Sequence, residues 1–177
     1  MPRTRDERMI LNNFRAMQHV QQIREQPLTR ASVIELQRIL TTDAIDDPGA
    51  VGRLRTSADD VKVCDLETGE VVHVPPDASE LETRLDALLA FANADASRGP
   101  FIPPVVRAVL LHFWLACDHP FVDGNGRTAR TLFDWSMLHA KYGPCECMKR
   151  KVGKQFVFRP VDDLRSRVAR VGARRHH

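Results

Sequence analysis

The residues best suited to chemistry fall in one string, HPFVDGNGRTAR, residues 119–130. Gly124 and Gly126 flank Asn125 directly before a stretch of helical periodicity. Glycine admits positive φ, so successive backbone N–H groups can converge on one concavity. The first N–H groups of a helix lack internal partners and carry the positive end of its dipole. Together these features make an anion site. Arg127 and Arg130, three apart, share a face of the first turn. The dipole disfavours cations there by about 0.3–1 kcal/mol each, so two of them point to a bound anion. Guanidinium forks suit phosphate oxygens, and the site holds more positive charge than one carboxylate needs. The competing role is simple pairing with acids such as Asp123 or Asp134.

Asp123 stands beside this anion site and would repel phosphates unless a cation lay between. Mg²⁺ commonly bridges one or two carboxylates and substrate phosphates. A plain turn residue before Gly124 is the other reading of Asp123. His119 is placed to take a proton from an incoming hydroxyl; its alternative is a helix C-terminal cap. His112, two turns earlier, reads as a buried, hydrogen-bonded structural histidine, and Phe121 as the anchor of the loop in the core.

These groups need helices on either side. Residues 105–117 are apolar except for Arg107 and His112, which predicts a central helix buried nearly all round. A second apolar helix runs from about 127 to 140, with Ala129, Leu132, Phe133, Ser136 and Met137 on one face. Upstream, residues 7–25 carry Met9, Ile10, Phe14, Met17, Val20 and Ile23 at helical spacing. Thr29 or Ser32 can cap a helix bearing Val33, Ile34, Leu36 and Leu40. Pro48, Gly49 and Gly52 then make a loop. Residues 61–74, VKVCDLETGEVVHV, predict the one β-hairpin, turning near Gly69. Ser79 with Glu82 matches a capping box opening a helix through Leu81, Leu85, Leu88, Leu89 and Phe91. The fold class expected is mainly α: a helical bundle around a central buried helix, with one β-hairpin flap.

Composition narrows the function classes. With 177 residues, 43% hydrophobic and 28% charged, the chain can bury a core without metals or disulfides. It has no apolar run of membrane-spanning length and no apolar stretch behind MPRTRDER that would read as a secretory signal. Residues 149–177 hold ten Lys and Arg against two Asp, while residues 1–148 hold sixteen basic against twenty-one acidic groups. The basic excess belongs to a tail, read as a solvated, partly disordered end, and gives the main domain no nucleic-acid footprint. A nucleic-acid- or partner-binding module acting through that tail is the rival from a different class. The four cysteines, at 64, 117, 145 and 147, suit a reducing compartment. Cys145 and Cys147 have no second pair, which is too little for a zinc site.

HPFVDGNGRTAR meets every fixed position of the Fic family signature, HxFx(D/E)GNGRxxR. The surroundings resemble that family as well: His112 seven residues before His119, a G-x-x-R-T loop at Gly52, Arg55 and Thr56, a hairpin, and a paired proline. The resemblance covers roughly residues 7–140. It implies a Fic fold, with a catalytic core over 1–148 and a separate tail over 149–177. It also implies transfer of AMP from ATP to a Ser, Thr or Tyr hydroxyl of a target protein, in the cytoplasm or, for a delivered effector, a host cytosol. By resemblance, His119 is the general base and Asp123 holds Mg²⁺. Gly124, Asn125 and Gly126 form the anion hole, Arg127 binds phosphate oxygens, and Arg130 takes the γ-phosphate. Val61, Lys62, Val63, Val71, Val72 and His73 belong to a flap that docks the target backbone as an added strand.

Transfer of UMP, phosphate or phosphocholine at the same site is the enzymatic alternative. Many relatives carry an inhibitory (S/T)xxxE(G/N) helix, whose Glu pairs with the second motif arginine. No Glu in this sequence is followed by Gly or Asn. Restraint by a separate antitoxin-like protein, or by a helix preceding residue 1, is therefore expected. Asp118 departs from the apolar residue usual before the motif.

Overall fold

The computed structural model describes residues 4–65, 67–95 and 101–142, and the backbone of 149–152 and 155–158. The chain divides into two compact units, 1–140 and 141–177. In the second, beyond residues 141 and 142, the described part is the backbone of an antiparallel pair, β3 (Lys149–Val152) with β4 (Gln155–Phe158), Lys149 opposite Phe158 and Val152 opposite Gln155. Cys145, Cys147 and the basic end from 159 onward lie outside the described residues.

The first unit is mainly helical. Helix α1 (Arg5–Ile23) opens with a capping box in which Thr4 and Glu7 satisfy each other's backbone N–H groups. Helix α2 (Arg30–Thr41) does the same with Thr29 and Ser32, so both residues singled out for this cap serve it. The hairpin pairs β1 (Val63–Cys64) with β2 (Val71–His73), placing Val63 opposite His73. Helix α3 (Leu81–Ala92) follows, then α4 (Pro104–Asp118) and α5 (Asn125–His139). No described helix is long and apolar enough to cross a membrane.

Helices α4 and α5 share the most extensive packing, and α4 also lies against α3 while α5 lies against α1 and α2. Leu36, Leu111, Leu115, Phe121, Leu132 and Trp135 form the centre of one buried cluster. Trp135 reaches α1 through its indole N–H, which donates to the Ile23 carbonyl at 3.4 Å.

Several faces differ from their expected orientation. Ile10 and Phe14 of α1 point outward, at 70% and 57% exposure; Val20 is buried as expected, and Asn12 and Ala16 join it in the interior. Asn12 earns its buried place by donating to the Leu40 and Thr42 carbonyls, which α2 leaves without partners at its end. Helix α4 is central but not buried all round: Ala108, Leu111 and Leu115 face the core, while Val105, Val106, Val109, Leu110 and Phe113 are exposed. A helix packed on neighbours along one side buries only that side, however apolar its sequence. On α5 the buried face is Thr128, Ala129, Leu132, Trp135 and Ser136, with Phe133 and Met137 at its margin. Before α3, Asp77 accepts from the Ser79 N–H and starts a single 3₁₀ turn, replacing the Ser79–Glu82 capping box.

Candidate active site

The end of α4 presents His119 in the left-handed region, φ 42° and ψ 58°. For a residue with a Cβ this costs about 1–2 kcal/mol, so the surroundings must hold it. They do so through the carbonyls that a helix end leaves unpaired. The Leu115 carbonyl accepts the His119 N–H at 3.0 Å. The Ala116 carbonyl accepts a short bond from His119 Nδ1, and the Cys117 carbonyl is bonded by His73 Nε2 at 2.7 Å. The Asp118 and His119 carbonyls are both taken by Arg55, the latter by its Nε at 2.7 Å.

This accounting fixes the imidazole chemically. A carbonyl offers no proton, so Nδ1 must be the protonated nitrogen and Nε2 carries the lone pair. Burial pushes the His119 pKa below the ordinary imidazole value, opposed by the Ala116 bond and reinforced by His73 and Arg55. The ring is therefore held neutral, as a base must be.

Arg55 is 7% exposed and also donates to the Pro76 carbonyl, while its own N–H bonds the Pro120 carbonyl at 2.9 Å. One side chain thus ties the Gly52–Thr56 loop, the paired proline and both sides of His119. Asp118, the departure in the motif's approach, is 4% exposed. One of its oxygens takes two bonds from Arg84 of α3, at 2.9 and 2.7 Å.

The loop that opens α5 is built as tightly. Gly124 caps α5 at φ 84°, where a Cβ would sit 2.7 Å from Thr41 Cγ2, so both conformation and space require glycine. The first bond of α5 runs from the Thr128 N–H to the Gly124 carbonyl. The N–H groups of Asn125, Gly126 and Arg127 accordingly have no helical acceptor. Beside Gly126 there is open space. The Asn125 side chain turns back and bonds both the Phe121 N–H and the Phe121 carbonyl, at 3.0 and 2.8 Å. Its amide therefore shapes the loop, and only its backbone N–H is offered outward. Phe121 is wholly buried, as an anchor should be.

The charged residues divide. Arg127 donates to the Leu40 carbonyl at 2.9 Å and pairs with Asp123 at 3.3 Å. Asp123 also accepts a short bond from the Gly124 N–H and remains 45% exposed. Arg130 is exposed and makes no hydrogen bond or ion pair with the described residues, Asp134 included. It lines a cavity of about 400 Å³ with Val109, His112, Phe133 and Asp134. His112 is only partly buried and bonds none of the described residues, so the expectation of a buried, hydrogen-bonded histidine is corrected: it is a wall of this cavity. Burial raises the pKa of Asp134.

Gln37 of α2 escaped sequence reasoning. It is wholly buried, accepts the Gly52 N–H at 2.6 Å and donates to the Asp123 carbonyl at 3.0 Å, clamping two loops. A polar residue amid Val33, Leu36 and Leu40 was the available signal. Arg84 and Arg55 were legible only as an ordinary helix-surface charge and one letter of a loop pattern.

The model of the Fic/DOC family matches residues 27–137. Over 86 residues the chain is 36% identical to the protein adenylyltransferase Fic of Drosophila virilis and 35% identical to that of Drosophila melanogaster. That stretch is 49% of this chain and 17% of each fly protein. A Fic-domain-containing signalling protein from Bacteroides thetaiotaomicron superposes with a TM-score of 0.65 at 27% identity, over 77% of this chain and 49% of that one. Fic-1 from C. elegans shares the fold, with a TM-score of 0.59 at 24% identity over 81% and 39% of the two chains. The chain thus spans half or less of the length of these relatives. A family match running from the start of α2 to near the end of α5 takes in every group bonded around His119, and the chain belongs to the Fic/DOC family.

Proposed function

We propose that this chain transfers AMP from ATP to a hydroxyl of a protein target, with His119 as the base. The observation that carries the reading is the pairing of His119 Nδ1 with the Ala116 carbonyl, which leaves Nε2 basic at the start of the loop that leads into α5. The naming of the fly relatives as protein adenylyltransferases supports the same class.

In this mechanism the target oxygen attacks the α-phosphorus as its proton passes to Nε2. The bond from the α-phosphorus to the bridging oxygen breaks, and pyrophosphate leaves. The N–H groups of Asn125, Gly126 and Arg127 meet the charge that builds on the phosphate oxygens. Arg127 adds positive charge from behind the loop, and Arg130, unpaired on the cavity wall, takes the γ-phosphate. The donor set suits Mg²⁺: Asp123 offers one half-exposed carboxylate beside the proposed anion site, and phosphate oxygens would complete the ligands. When bound there, Mg²⁺ supplies charge neutralisation for the phosphates. The exposed Val71 and Val72 suit a hairpin edge that receives a target strand. An inhibitory partner, or a helix preceding residue 1, would find Arg130 available as its contact.

Incubation with α-labelled and γ-labelled ATP, Mg²⁺ and a lysate tests the reading beside His119→Ala. Label from the α position alone, lost in the variant, is expected. Label from the γ position would replace it with phosphoryl transfer, and α label persisting in His119→Ala would remove the assigned base.

A further inference from the structure

The hairpin 61–74 is small, with strands of two and three residues, and such a unit holds itself weakly. Val71, Val72 and Val74 are exposed, so little apolar burial secures it. Among the described residues, one hydrogen bond joins it to any other element: His73 Nε2 to the Cys117 carbonyl at 2.7 Å. That carbonyl is the neighbour of the one gripped by His119. The flap and the base therefore hang from consecutive carbonyls of one helical turn. His73 is partly buried, and its ring is turned to α4 by this bond.

We propose that His73 is a positioning residue: its tether to Cys117 sets the distance between the target-docking edge and His119, so that a docked hydroxyl arrives at Nε2. The tether stands on its geometry alone; its catalytic consequence rests on the adenylyl-transfer reading. A loosened hairpin would still leave the base and the anion loop assembled. Water would then compete better with the target hydroxyl for the same α-phosphorus, giving free AMP and pyrophosphate.

Two variants separate the claims. His73→Gln keeps an N–H donor at the reach of Nε2, and His73→Leu keeps bulk without a donor. Hydrogen exchange of the hairpin amides is expected to quicken at least tenfold in His73→Leu and to stay near wild type in His73→Gln. With α-labelled ATP, Mg²⁺ and lysate protein, the ratio of protein-bound to free AMP should fall at least tenfold in His73→Leu, with the KM for ATP within twofold of wild type, and recover in His73→Gln. Unchanged exchange in His73→Leu overturns the tether. Faster exchange with an unchanged ratio overturns the positioning role. A wild-type chain that releases and transfers no α label overturns the transfer reading and the positioning role with it, while the exchange data still decide the tether.

Discussion

At the scale of single residues, the site turns on a histidine whose two nitrogens do different work. His119 Nδ1 is committed to Ala116, and burial holds the ring below its ordinary pKa of about 6.5. Two consequences share one sign. His119 remains neutral as pH falls past the point where a free imidazole would protonate, so under the proposed mechanism the acid limb of kcat/KM for transfer should lie below pH 6.5. The unfolded chain, in contrast, binds its proton near that value. Between the ordinary and the lowered pKa the unfolded state holds more protons, so this group's share of stability is complete above about 6.5 and is lost on acidification. A pH–rate profile with its acid limb at or above 6.5 would contradict the lowering of the His119 pKa by burial.

At the scale of elements, the sequence conveyed which segments are helical but less about the faces they bury. Helical spacing located the five described α-helices of the first unit, and two β-rich runs about Gly69 located the hairpin, because such patterns are local properties. Facing is not local. Ile10 and Phe14 were on the apolar stripe of α1, yet Asn12 took the interior because only a side-chain donor could serve the carbonyls ending α2. Gln37 was hidden for the same reason: its partners, Gly52 and Asp123, are 15 and 86 residues away along the chain. The candidate site was more legible, since its glycines, His119 and Arg130 lie in one string that runs from the end of α4 into the first turn of α5. The supports of that string were not, because they come from α2, α3, the Gly52–Thr56 loop and the flap. Gln37→Leu tests how much such a support carries. It would leave the half-buried Gly52 N–H and Asp123 carbonyl without their Gln37 partner, at less for each group than the roughly 1–3 kcal/mol of a fully buried one, because water can reach both. The urea midpoint should fall with its m-value unchanged; an unmoved midpoint would mean that other contacts hold the two loops.

At the scale of the whole first unit, the architecture converges on one point, the turn from α4 into the motif. Arg55 ties two loops there, His73 ties the flap, and Arg84 ties α3 through the buried carboxylate of Asp118. The last of these links is the one the sequence pattern least prepares for, and its energetics can be separated from its presence. Arg84→Met would leave Asp118 buried without its cation. A fully enclosed pair broken this way costs about 3–5 kcal/mol. Here the Arg84 side chain is 38% exposed and water can reach the orphaned carboxylate, so the loss should be nearer about 2 kcal/mol, roughly 4–8 °C in Tm. Removing both charges is a different perturbation. Asp118 lies among Leu81, Leu85, Leu88 and Leu115, and a leucine in its place would extend that apolar lining. The double variant Arg84→Met with Asp118→Leu should therefore recover most of the Tm lost by Arg84→Met alone. That recovery would identify the pair as an exchangeable fastening between α3 and α4, with the unpaired carboxylate as the source of the single variant's cost. A double variant as unstable as Arg84→Met would show instead that the directed bonds from Arg84 to Asp118 hold the two helices in register, a role no apolar contact at this turn can assume.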